Sequence, residues 1–297
     1  MENININHIE DDYMVHAIAK KGLLRCLAVR TTGLVEEAQK IHDLSPASTI
    51  AMGRLLSGAL LMSADLKNKK NQLTLNIKSD GDISNLTVVS NVDGQVRAYI
   101  NNPHAPAYYH HPGKFDIGKS IGKGNLTVIK DLGLKKPYVG TVELLSGEIA
   151  EDLASYYFYS EQIPTVLFLG VKLNPSGLLA AGGMLIQALP GADDDLLDWL
   201  ETRTKGFPDI SELIENKISP HQLIDMILGN TDLEYLRENK VSYHCPCNRD
   251  RMQRNLISLG TEDLSDLAKD EAGINLHCHF CGADYHFSQE EIIKMLE

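Results

Sequence analysis

Four cysteines, arranged as two close pairs, constrain this chain more than any other feature. Cys245-Pro246-Cys247 is followed by thirty residues and then by Cys278-His279-Phe280-Cys281. Two close pairs joined by an insert suit a tetrahedral Zn²⁺ site of four thiolates, one ion per chain. The second pair has ordinary zinc-ribbon spacing. The first is tighter, which leaves less freedom to wrap a metal and keeps its two sulfurs near enough for a local disulfide once a metal has left. NRDRMQRNLISL (248–259) can form the helix between the pairs, and Gly282 supplies a turn after the second. Two readings stay open here, an inert zinc staple and an oxidation sensor. Thiolates are the form that reacts with peroxide and hypochlorite, and a sulfur in a disulfide no longer binds zinc. Structural zinc is worth ~10–16 kcal/mol in small peptides, most of the folding free energy of a unit this size.

His244, His277, His279 and His286 crowd the site, but four cysteines already complete a tetrahedral shell, so they read as neighbours rather than ligands. Asn248, Arg249, Asp250, Arg251 and Arg254 form a small basic patch, read as a solvated helix face in preference to a nucleic-acid contact. The fifth cysteine, Cys26, lies in RCLAVR, a strand-like segment, and reads as a small buried apolar residue.

The 297 residues are enough for roughly two domains. With 43% hydrophobic and 23% charged residues the composition is globular and excludes wholesale disorder. A net charge of −12 repels a phosphate backbone and argues against broad nucleic-acid binding. The longest apolar candidate, Leu55 to Met62, is broken by Ser57 and Gly58 and is far short of the ~20 residues of a membrane span. MENININHIEDD does not read as a secretory signal, so a reducing cytoplasm is expected, where paired cysteines serve metal or redox chemistry.

The fold class expected is α+β, in three parts. Residues 1–190 read as a sheet domain with packed helices. Ser45 can cap a helix over 44–66 whose Met52, Leu55, Leu56, Ala59, Leu60 and Ser63 form one apolar face. LTLNI (73–77), ISNLTVV (83–89) and QVRAYI (95–100), separated by Asp80-Gly81 and Asp93-Gly94, read as a β-meander. LTVIK (126–130) and YVGTVEL (138–144) add strands, 147–160 a helix, and TVLFLGVKL (165–173) and LLAAGGMLIQAL (178–189) two late strands. Strands that are mostly contiguous favour α+β over a doubly wound sheet. Residues 191–240 hold 12 acidic and 5 basic residues and read as a linker of short amphipathic helices. Each is near or below the ~12–15 residues at which an isolated helix is marginal, so the linker folds conditionally on its neighbours. Residues 241–297 form the small zinc unit.

Gly113-Lys114-Phe115-Asp116-Ile117-Gly118-Lys119-Ser120 matches the phosphate-loop pattern, but its flanks are proline-broken before and glycine-rich after, so no nucleotide site is expected. Gly182-Gly183 reads as a bulge or a close strand packing. No Ser-His-Asp or paired-carboxylate arrangement stands out, and an enzyme is not expected.

HCPCNRDRM with HCHFCGADYHF resembles the C-terminal zinc region of the ~33 kDa heat-shock protein family of redox-regulated chaperones. AMGRLLSGALLMSADLK (51–67), YFYSEQIPTVLF (157–168) and AAGGMLIQALPG (180–191) resemble its N-terminal core, so the resemblance spans essentially the whole chain. It implies an ATP-independent holdase, inactive while Cys245, Cys247, Cys278 and Cys281 bind one Zn²⁺. It implies activation by two disulfides, Cys245 with Cys247 and Cys278 with Cys281. Zinc loss then unfolds the C-terminal unit and the linker, and apolar surface is uncovered for unfolding client proteins. It also implies a homodimer in the oxidised state and a cytoplasmic setting. The meander and the apolar faces of the linker helices are both candidate client surfaces. The alternatives are a cytosolic thiol–disulfide oxidoreductase, which lacks the βαβ context of such enzymes, and a zinc-ribbon nucleic-acid factor, which the negative charge disfavours.

Overall fold

The computed structural model describes residues 11–111, 113–229 and 231–296. The first ten residues of the segment read against a secretory signal lie outside them. Elements follow in the order β1 (Tyr13–Ala19), β2 (Leu24–Arg30), α1 (Thr32–His42), α2 (Pro46–Ser63), β3 (Gln72–Ser79), β4 (Asn85–Asn91) and β5 (Gln95–Ile100). Then come β6 (Tyr109–His111), β7 (Lys114–Phe115), α3 (Ile117–Ile121), β8 (Gly124–Asp131), β9 (Tyr138–Glu143), α4 (Ala150–Tyr156), a π-turn (Tyr157–Glu161), β10 (Thr165–Asn174) and β11 (Gly177–Ala188). The acidic stretch holds α5 (Asp194–Thr204), α6 (Ile210–Glu215), α7 (Pro220–Leu228) and β12 (Glu234–Lys240), followed by β13 (Ser242–Tyr243). The C-terminal part holds α8 (Arg249–Ile257), α9 (Thr261–Leu267), β14 (Ile274–His277), β15 (Asp284–Phe287) and α10 (Gln289–Lys294). The architecture is α+β, as expected, and its compact units divide between Tyr243 and His244.

The first unit is built on two large sheets, and β6 and β7 form a separate two-stranded ribbon. One has the order β10-β11-β2-β1-β12 and is antiparallel throughout. The other has the order β13-β5-β4-β3-β8-β9 and contains the expected meander. α2 is buried at sixteen of its positions, on every side and not on one face as expected. Small residues make that possible. A Cβ on Gly53 would come within 2.8 Å of Val171 and 2.9 Å of Val35, so the helix lies closer to its neighbours than a side chain would permit. Ser45 caps α2 through Ser48, with Pro46 in the first turn, as its sequence predicts.

Strands β1, β2 and β11 are apolar on both faces. Met14, Leu27, Val29, Ala181 and Leu185 face the core around α2. Val15, Ala17, Cys26, Ala28, Ala180, Met184 and Ile186 face the other way. That second face is closed by Leu196, Leu200, Ile210, Ile214, Leu223, Ile224, Ile227 and Leu228 of α5, α6 and α7. Strands covered on both sides read as continuous apolar runs, which is the character of LLAAGGMLIQAL. The seat of α6 is a cross-strand glycine pair, Gly170 opposite Gly182. A Cβ on Gly170 would lie 2.7 Å from Ile210 and from the Ser211 amide, and one on Gly182 would meet Ile214. Close packing, not a bulge, is therefore the reason for Gly182. The register shift in this hairpin lies at Lys172/Leu173.

The end of the acidic stretch differs from the helical expectation. Glu234–Lys240 is a strand paired along β1, with His16 opposite Arg237 and Tyr13 opposite Lys240. Its sequence, EYLRENK, has no apolar alternation because both its faces are largely exposed. An edge strand of this kind takes its conformation from its partner, and its charges guard the edge. His16 Nε2 meets Asn239 Oδ1 at 2.8 Å. Burial, and then the Arg237 guanidinium, push the His16 ring down to about 4. The unfolded chain therefore takes up this proton first as the pH falls. The stability contributed by neutral His16 is present above about 6.5 and is lost as the pH falls through about 4. Urea midpoints should drop across that window, and less steeply in His16→Gln; parallel curves would exclude the ring as the cause.

Candidate metal centre

The second unit has a small core of its own. Leu256, Leu264, Phe287 and Ile292 are its buried apolar cluster, each worth about 1.5–3 kcal/mol. Eight partly buried apolar side chains, Leu276 and Tyr285 among them, pack against it.

Four cysteine sulfurs gather in the same unit. The Sγ atoms of Cys245, Cys247, Cys278 and Cys281 all lie within 4.8 Å of one another. Cys245 Sγ is 3.7 Å from Cys278 Sγ, and Cys247 Sγ is 3.2 Å from Cys281 Sγ. A disulfide needs about 2.05 Å, so none of these contacts is one, whereas a zinc ion at about 2.3 Å from each sulfur demands edges near 3.8 Å. The donor set therefore fits one Zn²⁺. The sequence-predicted ligands come together, and none of the four histidines joins the cluster.

Each pair is held by ordinary backbone chemistry. Asn248 caps α8 through Arg251, fixing the chain directly after Cys247. The second pair is a tight knuckle. The Cys278 carbonyl accepts from the Gly282 amide at 2.8 Å, and the Cys278 amide donates to Ala283 at 2.9 Å. Gly282, at φ 72°, makes the left-handed turn expected after the pair. β14 and β15 then form a hairpin, Leu276 opposite Tyr285. The Tyr285 hydroxyl donates to Cys247 Sγ at 3.2 Å. Burial pushes Cys247 up, but the hydrogen bonds from Tyr285 and the neighbouring thiols outweigh it and bring this thiol down to about 7. Cys245 is pushed up to about 11, by burial first and then by its sulfur neighbours, and Cys281 rises for the same reasons. A thiol near 7 opens the cluster to deprotonation, which metal binding requires.

Arg249 of the basic patch is committed internally. It donates to the His286 carbonyl at 2.7 Å, pairs with Glu291 at 2.6 Å and lies over the Phe287 ring. His277 meets Asp284 at 2.8 Å and His286 meets Asn275 at 2.9 Å, bracing the hairpin, while His244 is exposed. Cys26 is fully buried, and burial pushes its thiol far up, as a small core residue requires.

The phosphate-loop match takes a different shape. Ile117–Ile121 is a single turn capped by Asp116. The amides of Ile117 and Gly118 donate to the Glu148 carboxylate at 3.0 and 3.1 Å, and Glu148 pairs with Arg54. A second group of metal-capable side chains, His110, Asp116 and Glu148, shares this corner. Its central carboxylate is already taken by the guanidinium and the two amides.

The Hsp33 protein family model matches residues 12–288. The chain belongs to the Hsp33 family. Relatives named 33 kDa chaperonin include one from Acetivibrio thermocellus, 42% identical with 97% of each chain covered. Another, from Clostridium perfringens, is 43% identical over 96% of this chain and 91% of its own. The crystal structure of the Thermotoga maritima 33 kDa chaperonin superposes with a TM-score of 0.87 at 34% identity, covering 96% of this chain and 98% of that one. Hsp33 membership thus rests on the core as much as on the cysteines. Among the described residues no helix is long and apolar enough to cross a membrane.

Proposed function

We propose that this chain is a redox-switched, ATP-independent holdase that binds unfolding proteins and keeps them from aggregating in the cytoplasm. The observation that carries the reading is the two-sided sheet, whose second apolar face is closed by three short helices of the 191–240 stretch. None of the three exceeds 11 residues, so their helical state depends on docking to that face. Undocking them exposes Val15, Ala17, Ala28, Met184 and Ile186 together, and a contiguous apolar patch of that kind binds other unfolded chains.

In the reduced state Cys245, Cys247, Cys278 and Cys281 would hold one Zn²⁺. When bound, the ion compensates the thiolate charges and cross-links the two cysteine segments of a unit whose own core is small. Oxidation to two disulfides, for which family resemblance implies the pairs Cys245–Cys247 and Cys278–Cys281, removes the ligand set. Each disulfide forms with loss of two electrons to the oxidant. The C-terminal unit then unfolds, the linker that runs into it is released, and the sheet face opens. In this reading the domains act as 1–190 chaperone core, 191–240 conditional cover and 241–297 switch, and the oxidised form is a homodimer.

The test is light scattering from a chemically unfolded client diluted into buffer. Protein pre-treated with peroxide at mild heat should suppress aggregation, and the zinc-loaded reduced protein should not. Equal suppression by both forms would remove the switch. Suppression by neither would return the cysteines to a structural staple or to disulfide exchange.

A further inference from the structure

We propose that Tyr285 is a positioning residue of the thiol cluster, its hydroxyl holding Cys247 Sγ as an acceptor and slowing the attack of that sulfur on oxidant. The inference deepens the redox reading and rests on its four-thiol site. Tyr285 lies on β15, two residues before Phe287, which is fully buried in the small core. Residues two apart in a strand share a face, so the anchor at Phe287 sets the aim of Tyr285. Leu276 pairs opposite, and the tyrosine ring packs on the same core. The hydroxyl therefore reaches Cys247 Sγ, at 3.2 Å, from a ring that is held on two sides.

With a metal bound the Cys247 sulfur is already a thiolate, so the donor no longer sets how much of it is ionised, and a lone pair the donor engages is less available as a nucleophile. In the step concerned, the Cys247 sulfur attacks one oxygen of hydrogen peroxide. The S–O bond forms and the O–O bond breaks, two electrons pass from sulfur to peroxide, and hydroxide leaves. The resulting sulfenic acid is displaced by a second cysteine thiolate, with loss of a second hydroxide, to give the disulfide. A donor on the attacking sulfur has to be weakened before the S–O bond can form. It also draws charge from the sulfur, and so lowers what that sulfur donates to a metal.

Tyr285→Phe keeps the ring and removes the donor. In the full-length protein loaded with Co²⁺, this variant should move the thiolate-to-cobalt charge-transfer band to longer wavelength. Peroxide oxidation of Cys247, followed by mass spectrometry, should quicken by about threefold to tenfold, the equivalent of one ordinary hydrogen bond. Replacing Tyr285 with 3-fluorotyrosine, a stronger donor of nearly the same shape, should move both readouts the other way. Loosened packing alone would not produce opposite signs from two near-isosteric rings. An unchanged rate at Cys247 in both variants overturns the proposal, with or without a shifted band. A parent protein that binds no Co²⁺ would sink the metal reading instead, and the rate at Cys247 would then be compared on the alkaline plateau of each variant's pH profile, where the sulfur is ionised with or without the donor.

Discussion

Cys278→Ser should lower zinc affinity by more than about 100-fold and leave residues 194–240 open to protease without any oxidant. Loss of an outer partner of a zinc ligand already costs about 10–100-fold, and this change removes a ligand itself. Cys278 is the most buried of the four, 7% exposed, and its sulfur meets Cys245 across the two pairs. Serine preserves the knuckle, whose bonds run through the backbone amide and carbonyl, so the change is confined to the donor atom. In the proposed reading the unit then loses the cross-link between its two cysteine segments and keeps only a small core, four buried and eight partly buried apolar side chains. Competition with a chromophoric chelator gives the affinity, and limited proteolysis reads the linker. Unchanged cleavage between 194 and 240 in this variant would break the link between zinc binding and linker folding.

Gly170→Val attacks the same coupling from the opposite end and should give a holdase that works while reduced and zinc-loaded. The added side chain meets Ile210 and Ser211, atoms of α6 and its N-terminal turn. Overpacking of this kind costs about 1–3 kcal/mol. α6 has six residues and little helical stability of its own, so a cost of that size is enough to lift it. Once α6 lifts, the sheet face beneath Ile210 and Ile214 is uncovered. Aggregation suppression and binding of an apolar dye, both measured without oxidant, should rise while one zinc per chain is retained. A variant with α6 demonstrably cleaved by protease and no gain in client binding would show that this face is not where clients bind.

The parts of the fold legible in the sequence are those whose own residues dictate them. The meander alternates and turns at Asp-Gly pairs, and α2 carries its cap and its periodicity. The four cysteines announce their site through spacing, and the structure brings their sulfurs together. What was not legible depends on partners. β12 has no strand signature in EYLRENK, because its conformation comes from pairing with β1. α2 reads as one-faced because periodicity does not reveal a helix packed on every side through small residues. The α6 seat needs Gly170 and Gly182 to be opposite each other across a hairpin, which spacing along the chain does not disclose. One signal was available: strands apolar on both faces require a cover, and the short acidic-stretch helices were the segments with apolar faces to spare. Tyr285 carries no motif, since its relation to Cys247 exists only after the hairpin closes.

The most direct test of the whole account is hydrogen–deuterium exchange of the full-length protein, zinc-loaded and reduced against peroxide-treated. The account predicts that amides of 244–296 and of 194–240 lose protection together on oxidation, while those of α2 keep theirs. Retained protection across 194–240 in protein that has become an active holdase would contradict it.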